Sequence, residues 1–368
     1  MDHREKQYLS KYTKLKRLLE ERIRKGFFRH GDELPPEKEL ADFFNVSRNT
    51  VRRALESLAN EGLVSKHHGR VSRICIDKTG SGLQRANRLA YFSNYLPGMV
   101  HVNMVYWNLF DRVIEAAAAY DLEVDFFSTE SPDCWSMYQK NRSIYMGAFS
   151  VGVNQDSVSR GVFERLAAIP DLIVLDELEN MPGEYCVSVD NYAGGRMAAR
   201  HLLQCNLRNM VMLTPDSDFL PFRQRIKGFE DELSEHGHVN CSVRKIIGID
   251  SVLKSEPGWL DSLHHLLLDA DGCFCYCDLL ALQALNAAYY HNRPVPDSLS
   301  VIGFDGIAIG QHTFPQLTSL AHPARQVADA AIQMALALYN KQRVRRKIVR
   351  IPGKLLPGET TRIFKASR

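Results

Sequence analysis

Arg48 and Arg52 stand four residues apart in the run Ser47-Arg48-Asn49-Thr50-Val51-Arg52, a spacing that puts both guanidinium groups on one face of a helix. A guanidinium can donate two hydrogen bonds to the O6 and N7 edge of guanine, which discriminates a base by about 1–3 kcal/mol. Asn49 and Thr50 add hydrogen-bonding side chains at the start of the same helix, and Ser47 occupies its N-cap position. Ser47 and Lys38 suit phosphate oxygens, contacts that set register without reading sequence. Further on, His68, Gly69 and Arg70 form the tip of a Gly-broken basic hairpin, a shape that lies beside a groove as a wing. The chemistry these residues point to is recognition of double-stranded DNA.

The elements that must position them are legible in the apolar pattern. Val51, Ala54, Leu55 and Leu58 recur at i, i+3, i+4 and i+7, so they face a core while the arginines face out. An amphipathic surface helix with solvated charges would account for this helix alone, but not for helix, turn, helix and hairpin in succession. Residues 8–76 resemble the winged helix-turn-helix of the GntR family of bacterial transcription regulators. The resemblance is carried by a first helix over 12–25, Gly31-Asp32-Glu33-Leu34-Pro35, Glu37-Lys38-Glu39-Leu40-Ala41 and Val46-Ser47-Arg48-Asn49-Thr50-Val51-Arg52. Ala54-Leu55, Leu58, Glu61-Gly62-Leu63-Val64 and His68-Gly69-Arg70 complete it. It implies DNA contacts at Lys38, Ser47, Arg48, Asn49, Thr50, Arg52, His68 and Gly69. Two positions depart from the family pattern. Pro36 replaces the usual capping Ser, although Pro suits a first helical position, and Val71 replaces the second Gly of the wing tip. One winged helix covers a short half-site, so a homodimer on a pseudo-palindromic operator is expected.

Charge is distributed accordingly. The 368 residues carry 46 Lys/Arg and 43 Asp/Glu. Residues 1–80 hold 18 of the basic and 12 of the acidic residues, a net +6, and residues 81–368 are left at −3. The positive charge lies with the DNA-reading segment, and the larger part need not touch nucleic acid. The first 25 residues are charged throughout and no 18-residue apolar run occurs, so neither a signal peptide nor a membrane span is expected, and the cytoplasm is the expected location. Eight cysteines in so long a chain do not read as a disulfide framework. Cys273, Cys275 and Cys277 share one face of a strand and read as buried thiols, although a metal or redox site is the sharper alternative. The pairs His67-His68 and His264-His265 lack ligand spacing. No metal or cofactor is expected.

Gly and Ser in the segment 77–87 mark a linker, which separates a DNA-binding domain at 1–76 from a body at 88–368. In the body, strand-like runs at 88–93, 123–128, 146–151, 172–175, 210–214, 243–247, 272–276 and 299–304 alternate with helical patterns. Those lie at 108–120, 157–169, 193–204, 222–236, 260–269, 279–292 and 324–341. Such alternation means parallel sheets covered by helices. The strands are too many for one small sheet. The fold class expected is therefore α/β, two doubly wound lobes behind an α+β winged head, with a ligand at the carboxyl ends of the strands.

Four segments of the body resemble the effector-binding domain of the LacI repressor family, which is related to periplasmic sugar-binding proteins. They are Val187-Ser188-Val189-Asp190-Asn191-Tyr192-Ala193-Gly194-Gly195-Arg196, Arg225-Ile226-Lys227-Gly228-Phe229, Ser300-Val301-Ile302-Gly303-Phe304-Asp305, and Leu317-Thr318-Ser319-Leu320 with Pro323. The resemblance covers nearly all of 88–362. It implies that Arg225 grips effector hydroxyls and that Asp305 accepts from them; a helix-to-loop salt bridge is the plainer reading of the pair. Cys277-Asp278 stands where the family has Asn-Asp, which removes a two-way hydrogen-bonding group from the pocket. Tyr95, Tyr106, Trp107, Trp135 and Phe219 are aromatic candidates for the cleft, each with core packing as the alternative. The resemblance also implies a repressor whose lobe angle is set by a carbohydrate-like effector, with chain crossings near 190, 320 and 341. Two other classes stay open: a regulator whose cleft has lost its ligand and serves dimerisation, and a GntR-headed enzyme. No GxSxG elbow, P-loop, cofactor-lysine context or metal-spaced His/Asp set supports the enzyme.

Overall fold

The computed structural model describes residues 15–16, 19–20, 32–44, 46–60, 63–65, 72–74, 86–93, 100–131, 133–153, 158–237, 240–246 and 258–362. Two units emerge, Met1–Ala86 and Asn87–Arg368.

In the first unit, α1 (Glu37–Phe43) and α2 (Arg48–Asn60) are joined by a turn closed by the Val46 amide donating to the Ala41 carbonyl at 3.0 Å. Val51, Ala54, Leu55 and Leu58 are buried against Leu15, Leu19, Leu34 and Leu40, as their spacing requires. β1 (Val64–Ser65) pairs antiparallel with β2 (Arg73–Ile74), forming the base of the wing. Its tip, with His68, Gly69 and Arg70, lies outside the described residues, as does Val71. Pro36 is not at the first helical position: it is the N-cap of α1, extended at φ −51° and ψ 148°, and its carbonyl accepts from the Leu40 amide. A proline there leaves the first-turn amides without the side-chain acceptor that a Ser supplies.

The second unit begins with β3 (Arg88–Ser93), α3 (Val100–Ala118), β4 (Glu123–Ser128), α4 (Cys134–Lys140), β5 (Tyr145–Val151), α5 (Arg160–Ala167), β6 (Ile173–Val174) and β7 (Tyr185–Val189). It continues with α6 (Asn191–Gln204), β8 (Asn209–Pro215), α7 (Leu220–Ser234), β9 (Asn240–Ile246), α8 (Trp259–His265), β10 (Gly272–Cys275), α9 (Asp278–Tyr290) and β11 (Ser300–Asp305). β12 (Thr318–Ala321), α10 (Ala324–Tyr339), β13 (Ile348–Ile351) and β14 (Lys354–Leu356) complete it. Two six-stranded sheets result, ordered β13-β7-β6-β5-β3-β4 and β14-β12-β11-β10-β8-β9, parallel throughout except for β14. β3, β8, β10 and β11 are buried along almost their whole length because helices cover both faces. α3 begins at Val100 instead of 108.

The chain leaves the first sheet after Val189, returns at 322–323 between β12 and α10, and crosses again at 352–353 between β13 and β14. The third crossing is not near Lys341. Residues 348–351 first add the edge strand β13 to the first sheet, a strand too short to show a period. The three passages lie side by side: the Asp190 amide donates to the Ile351 carbonyl at 2.8 Å, and Gly353 sits so close to the Ala321 carbonyl that a Cβ would meet it at 2.8 Å.

Candidate functional site

On the head, Lys38, Ser47, Arg48, Asn49 and Arg52 are exposed and Thr50 is half-buried. Ser47 caps α2, its hydroxyl accepting from the Thr50 amide at 3.1 Å and bonding the Thr50 hydroxyl at 2.7 Å. Both side chains are thus occupied in fixing the helix start. Arg52 is held as well: its Nη2 lies 3.1 Å from Glu37 Oε2 on α1. Arg48 and Asn49 lie on the same exposed helix start.

The body carries a cleft between the two lobes that encloses about 530 Å³, part of it open to solvent. α3 supplies Val105, Tyr106 and Leu109, and the end of β6 supplies Leu175 and Asp176. The facing lobe supplies Phe219, Pro221, Phe222 and Arg225 around α7, Tyr276 and Cys277 after β10, and Asp305 at the end of β11. Val189 and His322 come from the crossings. These are the carboxyl ends of the strands, where a doubly wound sheet opens at the point its strand order reverses. On the outer side of that gap, Arg223 of α7 pairs with Glu179 of the opposite lobe.

Arg225 is the cation of this cleft. Its guanidinium lies over the Phe304 ring at 3.6 Å, and its Nε donates to Asn191 Oδ1 at 2.8 Å. A third arm donates to the Tyr276 carbonyl, and Nη2 stands 4.0 Å from Asp305 Oδ1. Asn191 is the first residue of α6, fully buried, with its Nδ2 unpartnered among the described residues. The approach of α6 and α7 that makes this possible rests on two glycines. A Cβ on Gly195 would lie 2.1 Å from the Arg225 carbonyl oxygen, and one on Gly228 would lie 2.0 Å from that of Tyr192.

Asp305 occupies left-handed backbone at φ 106°, an unfavourable conformation for a non-glycine residue that aims its carboxylate into the cleft. Burial raises that carboxyl well above the ordinary range, and the Arg225 charge opposes the rise. Across the cleft, burial pushes Asp176 up to about 6, although the Tyr106 hydroxyl donates to it at 2.9 Å and Arg225 also pulls it down. Burial holds the His322 imidazole at about 4, with the Arg225 charge acting the same way. The lining thus offers one guanidinium, two carboxyl groups, an imidazole and two phenols amid apolar side chains. A molecule carrying several hydroxyls, each both donor and acceptor, matches this set.

The structure brings Arg225, Asp305 and Cys277 together, and burial pushes the Cys277 thiol up to about 12. Asp278 does not line the cleft. Its carboxylate accepts from the Ser319 hydroxyl at 2.5 Å and the Ile307 amide at 2.7 Å, pinning the loop after β11. Nor does Trp107, which stacks on Phe126 at 5.2 Å on an exposed face of α3 and β4, while Trp135 is buried against Phe92. Tyr95 lies outside the described residues. Tyr106 and Phe219 do line the cleft. Sequence reasoning missed Asp176, His322 and Asn191. An acid directly after the strand expected at 172–175 was the available signal for the first. Among the described residues no group of His, Cys, Asp or Glu could hold a metal ion, and no helix is long and apolar enough to cross a membrane.

Residues 11–74 match the family of bacterial regulatory proteins called gntR, and residues 199–361 match the periplasmic binding protein-like domain. The chain is a GntR-headed regulator with a periplasmic-binding-protein-like body. The arabinose metabolism transcriptional repressor of Halalkalibacterium halodurans is 24% identical over 350 residues, covering 91% of this chain and 90% of that protein. The ribose operon repressor of the same organism is 28% identical over 193 residues, 52% of this chain and 56% of its own length. Among solved structures, the regulator CelR bound to cellobiose aligns with a TM-score of 0.61 at 17% identity, covering 89% of this chain and all of that one. The LacI-type regulator of Alkaliphilus metalliredigens with D-xylulofuranose aligns at 0.58 and 20%, covering 75% of this chain and all of that one. In this GntR-headed regulator the fold match extends through both lobes that make the cleft.

Proposed function

We propose that this GntR-headed regulator is a transcriptional repressor that acts in the cytoplasm, binds a pseudo-palindromic DNA site as a pair of copies, and releases it when a sugar-like effector occupies the cleft. The observation that carries the effector reading is Arg225: a buried guanidinium, stacked on Phe304 and clamped by Asn191, beside Asp305 and facing a cleft whose far wall holds Asp176. A fork that is already ordered loses little entropy when it grips a hydroxyl. The relatives named for arabinose and ribose, and the neighbours solved with cellobiose and D-xylulofuranose, support a carbohydrate. The head supports DNA through Arg48 and Asn49, with Lys38 and Ser47 as phosphate contacts and Arg52 braced by Glu37. The family resemblance adds His68, Gly69 and Arg70 as further expected contacts.

The test is a thermal-shift screen of the full chain against pentoses, hexoses, cellobiose, lactose, sugar acids and sugar phosphates. A ligand at 100 times its Kd stabilises the unit that binds it by about 2.7 kcal/mol. The expected result is a shift that Arg225→Ala and Asp305→Ala abolish while DNA binding persists. A flat response across the panel overturns the effector reading.

A further inference from the structure

The loop joining α10 to β13 reads Lys341-Gln342-Arg343-Val344-Arg345-Arg346-Lys347, five basic residues in seven with no acid, in a body that is net acidic. All five basic side chains are exposed. Lys347 pairs with Glu184, and the other four hold no ion pair with another described residue. Clustered like charges repel, and among the described residues Glu184 alone is paired with this cluster. Ion pairing with the described residues, the usual occupation of surface arginines, therefore does not account for Arg343, Arg345 and Arg346.

The position of the loop suggests its partner. Every strand of the first sheet is parallel, so all begin at one end, opposite the cleft. β13 begins at Ile348, directly after the basic loop, and β3 begins at Arg88, where the linker from the DNA-reading head enters. Four strand spacings separate β13 from β3 in the sheet order, roughly 19 Å at about 4.8 Å each. β3, the first strand of the body in sequence, thus begins at the same end of the first sheet as the basic loop. Guanidinium forks match phosphate oxygens in geometry as well as charge.

We propose that the 341–347 loop is a second DNA-binding surface, with Arg343, Arg345 and Arg346 donating to backbone phosphates of the duplex that the head reads. It adds affinity without sequence preference, because phosphate contacts carry no base information. This rests on the DNA-binding reading of the head. It also revises the expectation, drawn from net charge alone, that the body need not touch nucleic acid.

The experiment uses the full chain and a fluorescein-labelled mixed-sequence duplex of about 40 base pairs, followed by anisotropy between about 50 and 200 mM KCl. Each phosphate neutralised contributes about 0.9 to the slope of log K against log salt. The variant Arg343→Ser/Arg345→Ser/Arg346→Ser is expected to lower that slope by about two to three, and the triple Arg→Lys variant to keep most of it. Arg208→Ser, on the other lobe, should leave it unchanged. If the parent binds and the Ser variant has the parent's slope, the loop is not a DNA contact and the head's role stands. A parent that binds no duplex sinks the DNA reading and this one together. Loss of binding to phosphatidylglycerol vesicles by the Ser variant, with its DNA slope intact, would assign the loop to a membrane surface instead.

Discussion

Arg225 and the groups around it decide what the cleft can hold. Its guanidinium is fixed by Phe304, Asn191 and the Tyr276 carbonyl before any ligand arrives. Arg225→Lys should therefore weaken an effector nearly as much as Arg225→Ala, since an ammonium cannot hold the planar fork; calorimetric titration checks this. Asp176 is the acceptor on the opposite lobe, and a hydrogen bond to a charged group is worth about 1.5–3 kcal/mol. Asp176→Asn should accordingly raise the effector Kd roughly tenfold to a hundredfold. The same residues predict a pH signature. The folded chain keeps His322 neutral down to about 4, whereas an unfolded chain protonates it near 6.5, so the stability it contributes is lost as pH falls between those values. Asp176 has the opposite sign. Its carboxyl is up at about 6 from 3.8, so the folded state keeps a proton that the unfolded chain gives up, and that stability is lost as pH rises through 6. Between pH 6.5 and 5, His322→Gln should flatten the fall of the denaturation midpoint and Asp176→Asn should steepen it. Parallel pH profiles for both variants and the parent would contradict this.

α6 and α7 form the frame on which Arg225 stands. The two helices touch backbone to backbone at Gly195 and Gly228, and the contact is flanked by buried Glu232, which takes Arg200 at 2.9 Å and Arg196 at 2.7 Å. A Cβ at either glycine must push the helices apart, since what it meets is backbone and cannot rotate away. Overpacking of this kind costs about 1–3 kcal/mol. Gly228→Ala should lower stability by about that amount and weaken effector binding as well, because moving α7 moves Arg225 away from Asn191. A variant as stable as the parent, with unaltered ligand affinity, would show that the helices can separate without consequence. On the head, α2 presents Arg48 beyond a firmly capped start. Arg48→Ala should cost specific DNA binding about 1–3 kcal/mol, read as loss of discrimination at one base position. Arg52→Ala should act partly through stability, because it removes the ion pair that ties α2 to Glu37 of α1.

At the scale of the whole molecule, the proposed function couples two readouts. An effector that prefers one lobe angle shifts the population by its differential affinity, and the coupling is reciprocal. Saturating DNA should therefore weaken the effector by the same factor by which the effector weakens DNA, typically 5-fold to 150-fold. Unequal factors would mean that the two sites do not share one equilibrium. The proposed function calls for a pair of copies on two half-sites, and the exposed apolar face of Met104, Trp107 and Phe126 is the surface to test for self-association. Trp107→Asp should raise the dimer dissociation constant in sedimentation without altering the cleft, which Trp107 does not line.

The core face and the capped start of α2 were legible because that information is local. Val51, Ala54, Leu55 and Leu58 must face one way if the segment is helical, and the capping of Ser47 depends on a residue three positions on. The lobes were legible as a class for the same reason: strands buried on both faces read as apolar runs, and their alternation with helices dictates parallel sheets. Periodicity could not reach the short strands β12, β13 and β14, the last two at sheet edges, and with β13 unseen the third crossing was expected before that strand instead of after it. The cleft itself is a product of tertiary structure. Arg225 meets Asn191 across 34 residues and Tyr106 meets Asp176 across 70, separations along which no local pattern connects the partners. Asp278 looked like a ligand from its neighbour Cys277, yet folding turned its carboxylate onto Ser319 and Ile307. A side chain's type says what it can bond; only packing, by deciding which polar groups lose water and which partners remain within reach, says what it does bond.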